Sequence, residues 1–471
     1  MRYQIPEEYY CRLHHIRPRF KNNIENVLIY MATEISKIRR KSKREFDKEV
    51  NKAIKKFPGN ATKKIKTINN WRTEISSLFG FIRTSRSKDK SWPALRATEL
   101  ADKQDLVHSF KLFLYHFQYP GGHLKPHENA EVIRQGIKFR PAPFILKLLH
   151  SAEKNEKTRK GITKPELTHC VFNDLRVTRD GEGPESVWER IKENRKKKVQ
   201  YDCRGDVIRY AGDILDYMVT ANLLTPHGQK YFINTLEKNA VQKFMESKDW
   251  FSKYDRYIDK RNVTLAQINS LQEAWFEYVN MPREEIFETD ALAFIARDET
   301  EYAKLRKQIV SSFMEKLEEP SEIGTKEIGD VGENLVHGHE CMRIKLRERT
   351  DLIHLIRCIP DHLAAGYDIR SVEADATYRY IEVKTTISNS EIDFTRIHLT
   401  PVEWTAADTL KSRYFVYRLL LSKRSRKLFL LRDPVGQYKQ EKLSMTPRNG
   451  ADIVFSPARC GEYTELLEWR D

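Results

Sequence analysis

The chain has 471 residues and a mass of 55.6 kDa, too long for a single core, so roughly two to four domains are expected. Its 83 Lys and Arg against 67 Asp and Glu leave a formal charge of +16, which favours a polyanionic partner, nucleic acid before an acidic membrane surface. No apolar run approaches the roughly 20 residues of a membrane span, the opening Met1–Glu8 lacks a signal peptide's apolar segment, and modest Gly and Pro with 11% aromatics exclude collagen-like and disordered chains.

The first third is basic. Between Lys37 and Lys66 there are 13 Lys or Arg and 3 acids. Phe46, Val50, Ile54 and Phe57 recur at helical spacing until Pro58-Gly59 breaks the pattern. In a chain that is basic overall, phosphate contact is the use expected of such a stretch. A helix from about Thr67 follows, with Trp71, Ile75, Leu78 and Phe79 on its apolar face. After Gly80 the chain reads as strand, polar loop with Arg86, Lys88 and Lys90, and strand through Trp92. That is the outline of a winged helix, with Arg86 and Lys88 on the wing.

The outline recurs downstream. Phe144–Leu149 opens a helix. Thr163-Lys164-Pro165-Glu166 then has an N-cap threonine, a first-turn proline and a glutamate three residues on, as in a capping box, and the helix runs on through Cys170, Val171 and Phe172. A basic loop with Arg195, Lys196, Lys197 and Lys198 precedes a long helix from Asp206, and strand-like Lys230–Ile233 closes the unit. The short helix opening at Thr163 is expected to read bases, with Lys164 and Glu166 reaching their edges, while Lys196, Lys197 and Lys198 hold phosphates. Residues from about 250 to 320 read as charged helices, with Ile309, Phe313 and Leu317 in one amphipathic run.

The last third changes character. A helix from Gly332 to about Arg347 precedes strands at Tyr378–Thr385, Tyr414–Leu420 and Lys427–Leu431, with another helix at Pro401–Leu410, so a mixed sheet with packed helices is expected. Period-2 alternation puts Glu382 and Lys384 on one strand face and Ile381 and Val383 on the other. Asp368, in Gly366-Tyr367-Asp368-Ile369, can reach the same cleft, and Glu333 can enter from the helix. Converging carboxylates suit Mg²⁺, a hard cation that takes oxygen ligands and keeps several waters. Lys384 would orient a water or stabilise charge on a phosphate. Pro360-Asp361 is a competing position, disfavoured because the proline suggests a turn.

These residues carry a resemblance. Gly332-Glu333, Gly366–Ile369, Ile381-Glu382-Val383-Lys384-Thr385-Thr386, Pro401–Trp404 and Tyr414–Arg418 resemble the NO VEIN C-terminal-type domain, a branch of the PD-(D/E)XK nuclease superfamily. The resemblance implies metal-dependent cleavage, with Asp368 and Glu382 as Mg²⁺ ligands, Lys384 as the catalytic lysine, and Glu333 as a further acid. The N-terminal half, through Leu112–Pro120, Pro143–Leu149 and Gly161–Leu167, resembles the DNA-recognition part of AlwI-type restriction and nicking endonucleases.

The expected fold is therefore multidomain: an α-rich winged-helix N-terminal half and an α/β PD-(D/E)XK nuclease domain at the C-terminus. DNA-binding domains are expected over 1–130 and 131–247, a helical linker over 248–320, and the nuclease over 321–471. The expected function is sequence-specific, Mg²⁺-dependent cleavage of double-stranded DNA in restriction or phage defence. The competing readings are a partner-controlled defence nuclease and a DNA-binding regulator with an inactive nuclease-like domain. Double-strand cutting from one metal site per chain calls for a homodimer on DNA or two sequential nicks. A methyltransferase or helicase of the same system is the partner class implied, no membrane is, and a prokaryotic cytoplasm follows from the resemblance. The six cysteines, none at C-x-x-C spacing, agree with a reducing compartment. His123 and His127, four apart but interrupted by Pro126, and His337 and His339, beside the metal helix, are weaker candidates.

Overall fold

The computed structural model describes residues 2–470 except 21–22, 86, 157, 205, 259, 261, 283–286, 288, 315–327, 361–362, 391, 393–395, 424 and 456–463. It divides into two units. The first comprises residues 1–101 and 106–287; the second comprises 102–105 and 288–471.

In the first unit, α1 (Ile24–Ser36), β1 (Lys41–Ser42), α2 (Lys43–Lys56), α3 (Ile65–Thr73), β2 (Ile82–Ser85) and β3 (Lys90–Pro93) follow one another, and the strands pair antiparallel in the order β1-β3-β2. Helix, strand, turn and strand follow in the order expected, with the short β1 paired on the other edge of β3. Ser42 caps α2 by accepting from the Glu45 N–H. Phe46, Val50 and Ile54 lie inward, as their spacing requires. Helices α4 (Leu95–Lys103), α5 (Leu106–His116) and α6 (Pro126–Arg134) follow.

The second module repeats the order with insertions. Helix α7 (Pro141–Glu156) leads to β4 (Ile162–Thr163), α8 (Lys164–Leu167), α9 (Leu175–Thr178), α10 (Pro184–Lys196), α11 (Arg209–Thr220), and the hairpin β5 (Leu224–His227) and β6 (Lys230–Ile233). Its strands are ordered β4-β6-β5. The expected run through Phe172 is present, as a π-helical turn over Thr168–Phe172 after α8. The basic segment differs from expectation: Arg195 and Lys196 end helix α10 rather than lying in a loop.

Helices α12 (Lys238–Glu246), α13 (Leu265–Ser270) and α14 (Gln272–Val279) complete this unit. Ile268, Leu271, Trp275, Phe276 and Val279 join Ala130 and Ile133 of α6 in one buried cluster. The described residues between Phe251 and Val279 therefore belong to the first unit's core rather than to a linker, because their apolar face finds its partner on α6. The side chains of Ile309, Phe313 and Leu317 lie outside the described residues.

The second unit holds α15 (Ala291–Ile295), α16 (Glu299–Met314), α17 (Ile328–Lys345), α18 (Pro401–Leu410) and α19 (Pro434–Lys439) around a six-stranded sheet. Its strands β7 (Arg357–Cys358), β8 (Ile369–Val372), β9 (Tyr378–Ser388), β11 (Tyr414–Ser422), β12 (Ser425–Arg432) and β15 (Thr464–Arg470) run in the order β15-β12-β11-β9-β8-β7. Strands β10 (Arg396–Leu399), β13 (Ser444–Pro447) and β14 (Ala451–Val454) form a separate sheet. Among the described strands of the large sheet only β9 and β11 pair parallel, Glu382 beside Val416 and Lys384 beside Arg418. A parallel pair needs a crossover, and α18 lies within it. Ala407 of α18 packs with Tyr414 and Val416, on the face that Glu382 and Lys384 share. No described helix is long and apolar enough to cross a membrane.

Candidate active site and nucleic-acid surfaces

Backbone geometry delivers each acid of the candidate active site. Gly366 sits at φ +76, and a Cβ there would stand 2.8 Å from both Ala406 Cβ and Val402 O, so only glycine lets the chain pass α18 in this conformation. Tyr414 Oη donates to the Gly366 carbonyl at 2.9 Å. Asp368 follows directly and accepts the Val383 N–H at 2.7 Å. Glu382 is 3% exposed. Lys384 Nζ lies 2.7 Å from Glu382 Oε1 and 2.8 Å from Glu403 Oε2.

Glu403 is the acid that sequence reasoning missed. It is the third helical residue of α18, in a capping box with Thr400: the Thr400 N–H donates to Glu403 Oε2 at 3.0 Å, and the Glu403 N–H donates to Thr400 Oγ1 at 3.4 Å. The Thr-Pro-x-Glu spelling announces the cap; that the carboxylate also reaches Lys384 follows only from where α18 docks.

The cluster carries more negative charge than it can bury comfortably. Burial, then the charge of Glu333, pushes Asp368 up to about 7. Burial also drives Glu382 well above the usual carboxylate range; Asp368 and Glu403 add to this and Lys384 opposes it. Burial works against the Lys384 charge, but Glu382 and Glu403 outweigh it and raise its pKa. Two mutually repelling buried carboxylates, Asp368 and Glu382, fit a hard divalent cation, which needs only one or two protein carboxylates when waters fill the remaining positions. Among the described residues no three His, Cys, Asp or Glu gather as a ready-made metal cage. Asp361 lies outside the described residues.

Glu333 stands next to Gly332, where a Cβ would fall 1.9 Å from Thr385 Oγ1. Helix α17 thus passes so close to β9 that a methyl group has no room. Gly332→Ala is expected to lower stability by about 1–3 kcal/mol, the usual penalty of overpacking, read as a fall in urea midpoint at unchanged m-value. His337 is buried with its Nε2 3.3 Å from the Ile356 carbonyl, and His123 is buried with its ring 3.9 Å from that of Phe117; both sit in packed interior.

On the first unit the nucleic-acid candidates separate. Arg44, Lys48, Lys52 and Lys55 form an exposed stripe on α2, opposite buried Phe46, Val50 and Ile54. They line a groove of about 1270 Å³ together with Lys41, Lys43 and Arg72. Lys88 is exposed in the β2–β3 turn; Arg86 lies outside the described residues. Lys196, Lys197 and Lys198 are exposed, and Lys197 pairs with Glu193 at 2.6 Å.

Glu166 and Lys164 are not placed as base readers. Glu166 is 5% exposed. Its carboxylate accepts from Arg195 at 2.7 and 2.9 Å and from the Thr163 N–H and hydroxyl at 2.9 Å each. Burial raises its pKa, but Arg195 and Thr163 outweigh that and lower it. The capping box that marked the helix start consumes the side chain. Lys164 lies across Gly212 and pairs with Asp216 at 2.9 Å. Glu166→Ala is therefore expected to cost roughly 2–3 kcal/mol through the lost cap and the stranded, partly exposed Arg195. Its effect on DNA affinity should be the same for every base substitution in the site; loss confined to one base pair would restore the reader role.

Comparison with known proteins follows the same division. The family profile described as restriction endonuclease BpuJI, N terminal, matches residues 3–276. The profile described as protein NO VEIN, C-terminal, matches residues 332–431, close to the stretch from about Ile328 to Leu420 that carries the resemblance in the sequence. A solved structure, the BpuJ1 endonuclease binding domain in complex with pyrene- and phenanthrene-modified DNA, is similar over 59% of this chain and 100% of its own, at 25% identity and a TM-score of 0.52. The search of curated proteins found no match.

Proposed function

Since the chain belongs to the restriction endonuclease BpuJI N-terminal family, we propose that it is a sequence-specific, Mg²⁺-dependent endonuclease that hydrolyses phosphodiester bonds of double-stranded DNA in restriction or phage defence. The first unit recognises the duplex. The second unit, read as a PD-(D/E)XK nuclease, cuts it. The observation that carries this reading is the cluster of half-buried Asp368, just before β8, with buried Glu382 and half-buried Lys384 of β9, in a chain whose other half has a restriction-endonuclease match.

Asp368 and Glu382 would hold Mg²⁺, with Glu333 as a further acid from α17. The bound cation supplies Lewis-acid polarisation of the phosphoryl oxygens and a more acidic water. Lys384 is charged, being paired with Glu382 and Glu403, and its ammonium orients the attacking water or steadies charge on the phosphate. Glu403 is a positioning residue: from the rigid first turn of α18 it fixes the Lys384 rotamer. The low-dielectric surroundings strengthen each of these interactions relative to water. On the first unit, the α2 stripe, Lys88 and Lys196–Lys198 supply phosphate contacts, which fix register without reading sequence. Two copies meeting on DNA, or two sequential nicks, would complete a double-strand cut.

The deciding experiment incubates the full chain with mixed plasmid and phage DNA in Mg²⁺, in Ca²⁺ and in EDTA. Discrete fragments or site-specific nicks in Mg²⁺ alone are expected. Sequence-specific binding with no cleavage under any divalent metal would replace this reading with that of a DNA-binding regulator.

A further inference from the structure

Residues 102–105 form a short strap that packs with the second unit although helices of the first flank it in the chain. Asp105 bridges to Ile387 at the end of β9 and accepts from Thr289 Oγ1 at 2.7 Å, and Asp102 pairs with Arg448 at 2.7 Å. Between them Gln104 holds φ +50, the left-handed region that side chains other than glycine rarely adopt. Its amide oxygen accepts from the Arg418 guanidinium and, at 3.1 Å, from Thr386 Oγ1.

Arg418 is the register partner of Lys384 on the neighbouring strand, so both project from the same sheet face. It is 5% exposed. Three other buried or half-buried cations of this unit are answered by carboxylates: Arg343 and Arg379 by Glu340 and Glu373, Lys384 by Glu382 and Glu403. Arg418 is answered by two neutral oxygens, on Gln104 and Thr386, and its Nε has no hydrogen-bond partner among the described residues. Burial, with no acid among the described residues to offset it, pulls its pKa down to about 9. A guanidinium removed from water and left, among the described residues, without an anion is a costly arrangement. The bidentate donor geometry suits a phosphate, whose charged oxygens accept more strongly than an amide.

We propose that Arg418 binds a backbone phosphate of the DNA strand beside the Asp368–Glu382–Lys384 cluster, and that Gln104 fills that phosphate's place in the DNA-free protein. The proposal rests on the nuclease reading of this sheet. It gives the strap a consequence: DNA reaches the arginine only when the Gln104 side chain swings aside, and the phosphate then takes over the hydrogen bond that Gln104 gives up.

The test uses the full chain with Gln104→Ala, Arg418→Met and Arg418→Lys. The two sites should respond with opposite signs. Gln104→Ala should raise kcat/KM for cleavage several-fold, mainly through KM, because the competing amide is gone. Arg418→Met should lower it by about 10²-fold, with Arg418→Lys recovering part of the loss since it keeps the charge without the fork. In Ca²⁺, Arg418→Met should flatten the log–log salt dependence of duplex binding by about 0.9, the share of one phosphate contact, and Gln104→Ala should not. Loss of activity in Gln104→Ala equal to that in Arg418→Met, with salt slopes unchanged in both, would show that the arginine only anchors the strap and would overturn the proposal. Should Arg418→Met fail to fold, Gln104→Ala and Arg418→Lys still decide by the sign of their effects. Absence of cleavage by the unmodified chain strikes the nuclease reading alone, because the Ca²⁺ binding slopes test the phosphate contact without it.

Discussion

Asp368→Asn and Glu382→Gln should each reduce Mg²⁺-dependent cleavage by about 10³-fold or more, the scale on which metal and electrostatic stabilisation of a transition state operate. Duplex affinity measured in Ca²⁺ should stay close to that of the unmodified chain, because the phosphate contacts assigned to the first unit are untouched. The amide replacements keep side-chain shape, so the carbonyl oxygen introduced by Asp368→Asn can still accept the Val383 N–H that Asp368 accepts at 2.7 Å. The stability of Asp368→Asn should hold or rise, whereas Glu382→Gln also gives up the 2.7 Å pair with Lys384. Asp368 is already driven to about 7 by burial and by Glu333, so removing its charge relieves repulsion within the cluster instead of breaking a favourable pair. A dead Asp368→Asn enzyme with an undiminished urea midpoint is thus the specific expectation, and it separates a functional cluster from a structural one, whose loss would lower activity and stability together. Full activity in both variants would remove the assignment. Asp361→Ala should cut normally; a dead Asp361→Ala beside an active Asp368→Asn would transfer the ligand role to Asp361.

Replacing Arg44, Lys48, Lys52 and Lys55 together by Gln should weaken binding to every duplex about equally. If all four meet phosphates, the salt slope becomes less negative by about 3.6, at roughly 0.9 per contact, which corresponds to a loss of up to about 10³-fold at 0.1 M salt. The fold should survive, because the stripe lies opposite the buried Phe46, Val50 and Ile54 and Gln is a fair helix former. Discrimination among sequences should persist, since phosphate contacts position the protein and base contacts specify the site. An unchanged slope would return the stripe to a solvated helix face. Loss at particular sequences alone would make it a base reader.

Local signals foretold part of the elements, among them α2, α7, α11, α17, α18 and strands β9, β11 and β12. Ser42, Thr163 and Thr400 each precede a helix, with Glu45, Glu166 and Glu403 three residues on, and each starts one in the structure. Pro401–Leu410 begins and ends as its residues suggest. The alternation of β9 correctly set Glu382 and Lys384 on one face, because successive side chains of a strand must diverge. Those signals act over a few residues, where backbone sterics, capping and apolar periodicity are decided. They do not say what a side chain meets across the fold.

These three caps share one spelling and have three fates. Glu45 is exposed, Glu166 is buried against Arg195, and Glu403 closes on Lys384. The difference lies in which surface each helix docks upon. The same is true of α13 and α14, whose buried residues pack against α6, a partner that nothing in their own stretch of chain names. Gln104 and Arg418 are 314 residues apart in the chain, and nothing near either announces the other. Residue type and spacing determined, from the sequence alone, which elements form and which chemical groups they carry. Only the tertiary structure decided which groups meet, because strand register and helix docking are set by the packing of the whole core and not by any short stretch of the chain.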